Sequence, residues 1–163
     1  MDFLLKIEES GICQWVRESD SLFAFPGILL LHTLGMGLVV GINAMVDFRI
    51  LGFAPAVRIQ SLQRFFPIMW VGFWINAITG TILLAVNATK MTANPDFYVK
   101  LVFIALAVIN VRMLKKQVLS RDFDDKGPLP MNAKVLAITS LLFWLGAIIS
   151  GRLLAYVGRS SGI

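Results

Sequence analysis

His32 is the single histidine of the chain, and it stands inside residues 23–46, a run of 24 residues without a formal charge. At 1.5 Å per residue such a run crosses the roughly 30 Å hydrocarbon core of a bilayer. An imidazole at that depth needs partners for both ring nitrogens, and an ionisable residue inside a membrane segment is where chemistry is first looked for. Stepping about 100° per residue, Met36, Val39, Asn43 and Asp47 fall within about 60° of His32, so one helix face carries a polar line. Three kinds of chemistry suit it. His32 is a candidate axial ligand of a b-type haem, with Met36, a partner chain or an open position on the other side of the iron. His32 and Met36, one turn apart, are a candidate copper pair, since imidazole and thioether suit Cu(I). With no cofactor, His32 is expected to hydrogen-bond across helices to Asn76 or Thr79.

The elements that must position these residues are four apolar spans, at about 23–46, 65–88, 97–114 and 133–157. The expected fold is all-α, a four-helix transmembrane bundle forming one integral membrane domain over residues 1–163. On the first span Gly37, Gly41 and Ala44 lie opposite His32 and form a surface that a second helix can approach closely. The second carries Asn76, Thr79 and Gly80 in a polar, small-residue seam that includes Gly72, with Trp70 and Trp74 beside it. The third is short and contains Lys100, the fourth ends in Arg152 with Tyr156 one turn beyond, and Asn132 is placed to cap its start. Residues 47–64, with Arg49, Arg58 and Arg64, read as a surface connection containing a short interfacial helix. Residues 1–22 place Phe3, Leu4, Ile7, Ile12, Trp15 and Val16 at near-helical spacing among charges, the pattern of an amphipathic helix in the headgroup layer.

Composition fits this reading: 57% hydrophobic residues and a mean hydropathy of +0.76, against roughly 45–50% apolar usage in soluble domains. The net charge of +5 comes from basic residues between the apolar runs, with no aromatic-basic repeat, so nucleic acid is not the expected partner. The two connections 47–64 and 112–134 hold nine Lys and Arg, against six in the tails and residues 88–100. The positive-inside rule then puts both termini outside the cytoplasmic membrane. That orientation brings His32, Lys100, Arg152 and Tyr156 to one electropositive depth suited to haem propionates, a quinone oxygen or a lipid phosphate, while simple snorkelling of Lys100 and Arg152 to headgroups is the plainer reading. Cys13 is alone, which excludes an intrachain disulfide and a thiol redox pair. The segment at 122–133 fails as a calcium loop because Ala133 replaces the bidentate Glu. No nucleophile-base set or phosphate-cradling loop is present, so an independent enzyme is not expected.

The residues His32-Thr33-Leu34-Gly35, Gly41, Val46 through Gly52, Phe66-Pro67 with Trp70, Gly72 and Phe73, Thr79-Gly80, Asn94-Pro95 with Phe97 and Lys100, and Gly151-Arg152 with Tyr156 give the chain a resemblance over nearly its whole length. It resembles an uncharacterised group of bacterial four-helix membrane proteins, similar in layout to copper-resistance D-type proteins and small b-type cytochromes. The resemblance implies the fold and a bacterial inner-membrane location; it carries no activity. Where such relatives have an acidic residue three before the histidine and a second histidine near the end of the third helix, this chain has Leu29 and Lys115. The leading functional expectation is a small subunit of a larger, respiratory or electron-transfer, membrane assembly, docked through its glycine face. Homo- and hetero-oligomers are both compatible with it. Haem b and copper binding are the alternatives.

Overall fold

The computed structural model describes residues 2–119 and 129–160, with the side chains of residues 2, 119 and 155–160 outside the description. Among the described residues the chain is helical, in the order α1 Asp2–Glu8, α2 Gly11–Glu18, α3 Phe25–Leu51, α4 Ile59–Leu62, α5 Phe66–Val86, α6 Ala88–Ala93, α7 Pro95–Leu114 and α8 Met131–Ser160. A 3₁₀ turn, Gln63–Phe65, joins α4 to α5, and one π-helical turn, Lys115–Leu119, continues α7. Four stretches are long and apolar enough to cross a membrane: Phe25–Leu51, Ile59–Val86, Pro95–Val118 and Met131–Leu154. They are the four expected spans, each with shifted ends.

One shift carries charge inward: α3 continues to Leu51 instead of giving way to a surface connection at residue 47. Asp47 is 1% exposed and Arg49 is 8% exposed, so both lie inside the bundle. The extra turn is possible because each charge finds a partner. The Ser140 hydroxyl donates to the Asp47 carboxylate, and the Arg49 guanidinium donates to the Val57 and Pro55 carbonyls of the following loop. The helix stops at Gly52, whose φ of 106° puts it in the left-handed region that only glycine enters freely. Proline within the first two positions opens α3, α5 and α7, where no intrahelical donor is lost. Asn94 caps α7 by accepting from the Asp96 N–H at 2.9 Å. The start of α8 differs from expectation: it begins at Met131, after Pro130, which places Asn132 within the helix.

The four long helices run antiparallel in chain order. Residues 32, 35 and 43 of α3 meet 76, 72 and 69 of α5, and residues 100, 103 and 110 of α7 meet 151, 146 and 139 of α8. Both described chain ends therefore lie at the end of the bundle that carries the 87–94 connection. Between helices in a bilayer, burial of apolar surface drives little, and close backbone approach matters more. Gly35 supplies it: a Cβ there would stand 2.8 Å from the Gly72 carbonyl oxygen and 2.9 Å from the Asn76 nitrogen. The apolar core is concentrated toward the other end, where Val46, Ile50, Ile59, Leu62, Phe66, Val111 and Leu114 pack together.

The N-terminal segment is two short helices, broken around Glu9 and Ser10, where one continuous helix would have served the spacing. Cys13 and Val16 of α2 bury against Val86 of α5, while Trp15 stays exposed. The Glu8 carboxylate accepts from the Thr89 N–H and hydroxyl, each at 2.8 Å, tying α1 to α6.

Candidate functional site

His32 is fixed by α5. Its Nδ1 lies 3.1 Å from the Asn76 carbonyl oxygen and 3.1 Å from Thr79 Oγ1. A carbonyl can only accept, and the Thr79 hydroxyl is turned to the Ile75 carbonyl at 2.6 Å, so Nδ1 carries the ring proton and donates. The Asn76 side-chain amide donates back to the His32 carbonyl at 2.7 Å, which makes a reciprocal clasp between the two helices. Gly80 leaves room for the ring, since a Cβ there would stand 3.0 Å from the imidazole Cε1 and press on it. Nε2 is the nitrogen left with a lone pair.

One turn below, the four long helices enclose a small cavity of about 30 Å³. It is lined by Met36 and Val39 from α3, Phe73 and Asn76 from α5, Lys100 and Ile104 from α7, and Trp144 and Ala147 from α8. Lys100 is half-buried and its ammonium lies against the α8 backbone, 3.6 Å from where a Gly151 Cβ would be. The sole ion pair among the described residues is the exposed Arg17–Glu18 contact, so no described carboxylate neutralises Lys100. The Trp144 indole is 7% exposed, and its Nε1–H has no partner among the described residues.

Of the residues expected to share one depth, Met36 and Lys100 line the cavity, one turn below His32, while His32 meets Asn76, Thr79 and Gly80 of the second span's seam. Arg152 is exposed on α8 and does not line the cavity, and the Tyr156 side chain lies outside the described residues. Lys100 is half-buried, lines the cavity and carries its ammonium toward Gly151. Gly37 and Gly41 are exposed, with nothing within 4 Å of the Cβ position of either. The rejected calcium loop lies mostly outside the described residues.

Sequence reasoning missed two buried groups. Asp47 lies on the polar line and inside the bundle, not in a surface connection, and its Oδ2 has no partner among the described residues; Asn110, 4% exposed, donates to Thr139 Oγ1 at 2.7 Å while its own Oδ1 has none among them. Their α8 neighbours, Ser140 and Thr139, are consecutive, so both orphan oxygens belong to one layer. The signal for Asn110 was present: an amide in the middle of an apolar run, at helical spacing from Ala107 and Leu114.

The site thus belongs to an all-α membrane bundle, with lipid as the surroundings of its apolar outer faces. Comparison with protein-family models, with curated proteins and with solved structures gives no match.

The fit of the cofactors follows from this geometry. The cavity of about 30 Å³ is far below the roughly 300–1,000 Å³ of sites for drug-sized ligands, so a porphyrin does not fit in it, and His32 is not among its lining residues. For copper, His32 and Met36 supply two donors, and among the described residues there is no group of three or more His, Cys, Asp or Glu side chains.

Proposed function

We infer that the chain is a small integral subunit of a larger bacterial inner-membrane assembly, docked through the Gly37–Gly41 face of α3 onto a transmembrane helix of a second polypeptide. One comparison carries this reading. Gly27, Gly35, Gly72, Gly80, Gly146 and Gly151 each meet a neighbour within 4 Å of the Cβ position, so the glycines of the spans serve close contact. Gly37 and Gly41 alone among the described span glycines meet nothing. Their neighbours Leu34, Leu38 and Met45 are exposed and apolar, which suits lipid and protein equally; the bare backbone at two positions one turn apart suits a helix. The resemblance to bacterial four-helix membrane proteins supports the location, and the excess of Lys and Arg in the 47–64 and 112–134 connections supports termini outside the cytoplasm.

The test is the size of the assembly after gentle extraction from the native membrane. Gly37→Leu with Gly41→Leu is expected to release the chain as a monomer that keeps its helical circular dichroism, and an assembly of unchanged size would overturn the reading. Partner identity follows from the composition of the wild-type complex. An optical spectrum of the same complex reads the haem alternative directly: a Soret band that His32→Ala removes would make His32 a ligand from the outer face.

A further inference from the structure

We propose that residues 52–58, the loop between the first two long helices, anchor the chain to anionic phospholipid headgroups. The loop backbone is pinned at several points. The Phe53 N–H donates to the Phe48 carbonyl at 2.9 Å and the Val57 N–H to the Ala54 carbonyl at 3.0 Å, and the buried Arg49 guanidinium holds the Pro55 and Val57 carbonyls from the bundle side. Burying a guanidinium is costly unless its donors are used. Here they are used on a loop that buries none of its own side chains, since residues 52–58 are all exposed. What the clamp holds outward is apolar: Phe53 is 64% exposed and stands edge-on to the exposed Phe48, with ring centroids 5.7 Å apart.

Position and charge decide the occupant. Seven residues link a span that ends at Leu51 to one that begins at Ile59, and at no more than about 3.6 Å per residue so short a link stays at the level where the spans leave the hydrocarbon. Exposed aromatic rings are favoured in that layer. Arg58 and Arg64 are exposed, and neither has a carboxylate partner among the described residues. Arg112 and Lys116 of the third span are exposed at the same end of the bundle, where Lys115 lies over the Phe66 ring. Among the described residues of this end Asp47 is the one acid, and it is buried. Cations of one sign beside apolar rings favour an anionic headgroup over a zwitterionic one, and a guanidinium fits phosphate oxygens in a fork. The arginines lie beyond α3, away from Gly37 and Gly41, so this inference and the docking of that face fail separately.

The experiment puts a fluorophore on the loop of the full chain, at Ala56→Cys in a Cys13→Ala background, because Ala56 is exposed and Cys13 is otherwise the single thiol. The chain is reconstituted in phosphatidylcholine bilayers containing a minor fraction of doxyl-labelled phosphatidylglycerol or phosphatidylcholine, labelled at the same shallow position of the acyl chain. The phosphatidylglycerol probe is expected to quench at the lower mole fraction. Arg58→Gln and Arg64→Gln should each reduce that preference by up to about fivefold, the effect of one basic residue at an anionic surface. Absence of quenching by either probe would place the loop in water and overturn the proposal. Equal quenching by both, or a preference that the two substitutions leave unchanged, would overturn it as well and assign the arginines to protein carboxylates, such as Asp122, Asp124 and Asp125 of the 112–134 connection. A second readout uses the unlabelled chain. Phosphatidylglycerol in place of part of the phosphatidylcholine should raise its thermal midpoint, as any ligand of the folded state does, and an unmoved midpoint counts against the anchor.

Discussion

The His32–Asn76–Thr79 clasp sets what the imidazole can do. With Nδ1–H given to the Asn76 carbonyl and Thr79, the ring is held in one tautomer and one orientation. Its energetic weight can be measured by a double-mutant cycle of His32→Ala and Thr79→Ala, unfolded reversibly in mixed micelles. A coupling of about 0.6 kcal/mol, and no more than about 1.7 kcal/mol, is expected, the average and the maximum found for hydrogen bonds between membrane helices; zero coupling would mean the hydroxyl is not a partner. This contact was legible in the sequence because His32 and the polar seam of the second span were each singular within apolar runs. Asp47 was not. Four consecutive residues of mixed polarity at 47–50 look like the end of a span, and only the partners on α8 and in the loop, far away in sequence, make their burial tolerable.

At the scale of the helix, α3 has two glycine faces with opposite uses. Gly35 is enclosed by α5, and Gly37 and Gly41 face outward. Gly35→Ala is therefore expected to destabilise the dispersed monomer by about 1–3 kcal/mol, the cost of forcing atoms into a packed contact. Gly37→Ala in the same monomer should be neutral, or stabilising by up to about 1 kcal/mol through helix propensity. Equal losses at both positions would show that α5 does not select one face. The pattern Gly37, Gly41 drew attention first because it repeats at four residues; Gly35 carries no repeat, and its role depends on Gly72 standing opposite, which no single-helix pattern reveals. The break in the N-terminal segment was hidden for a similar reason, since what holds α1 is the Glu8 carboxylate on Thr89.

For the whole molecule, four antiparallel helices long enough to cross a membrane put the two described chain ends at one end of the bundle, and the proposed orientation takes its side from the charge balance of the connections. Reporters fused to either terminus are expected to be accessible from outside the cytoplasmic membrane, and accessibility from the cytoplasm at both would reverse the assignment. The number of spans was readable from composition and length alone, because an apolar run without charge has one stable home. Which residues face each other across the bundle was not, since helix rotation is set by contacts between spans.

The clasps of His32 on α5 and of Arg49 on residues 55 and 57 all fall within the stretch from α3 to α5. A chain emerging from the ribosome has made every one of these partners by the time Val86 is synthesised. The first two long helices thus carry their clasps without residues of α7 or α8. The cavity does not: Met36, Val39, Phe73 and Asn76 form one wall and Lys100, Ile104, Trp144 and Ala147 the other, so it exists only when both hairpins are joined.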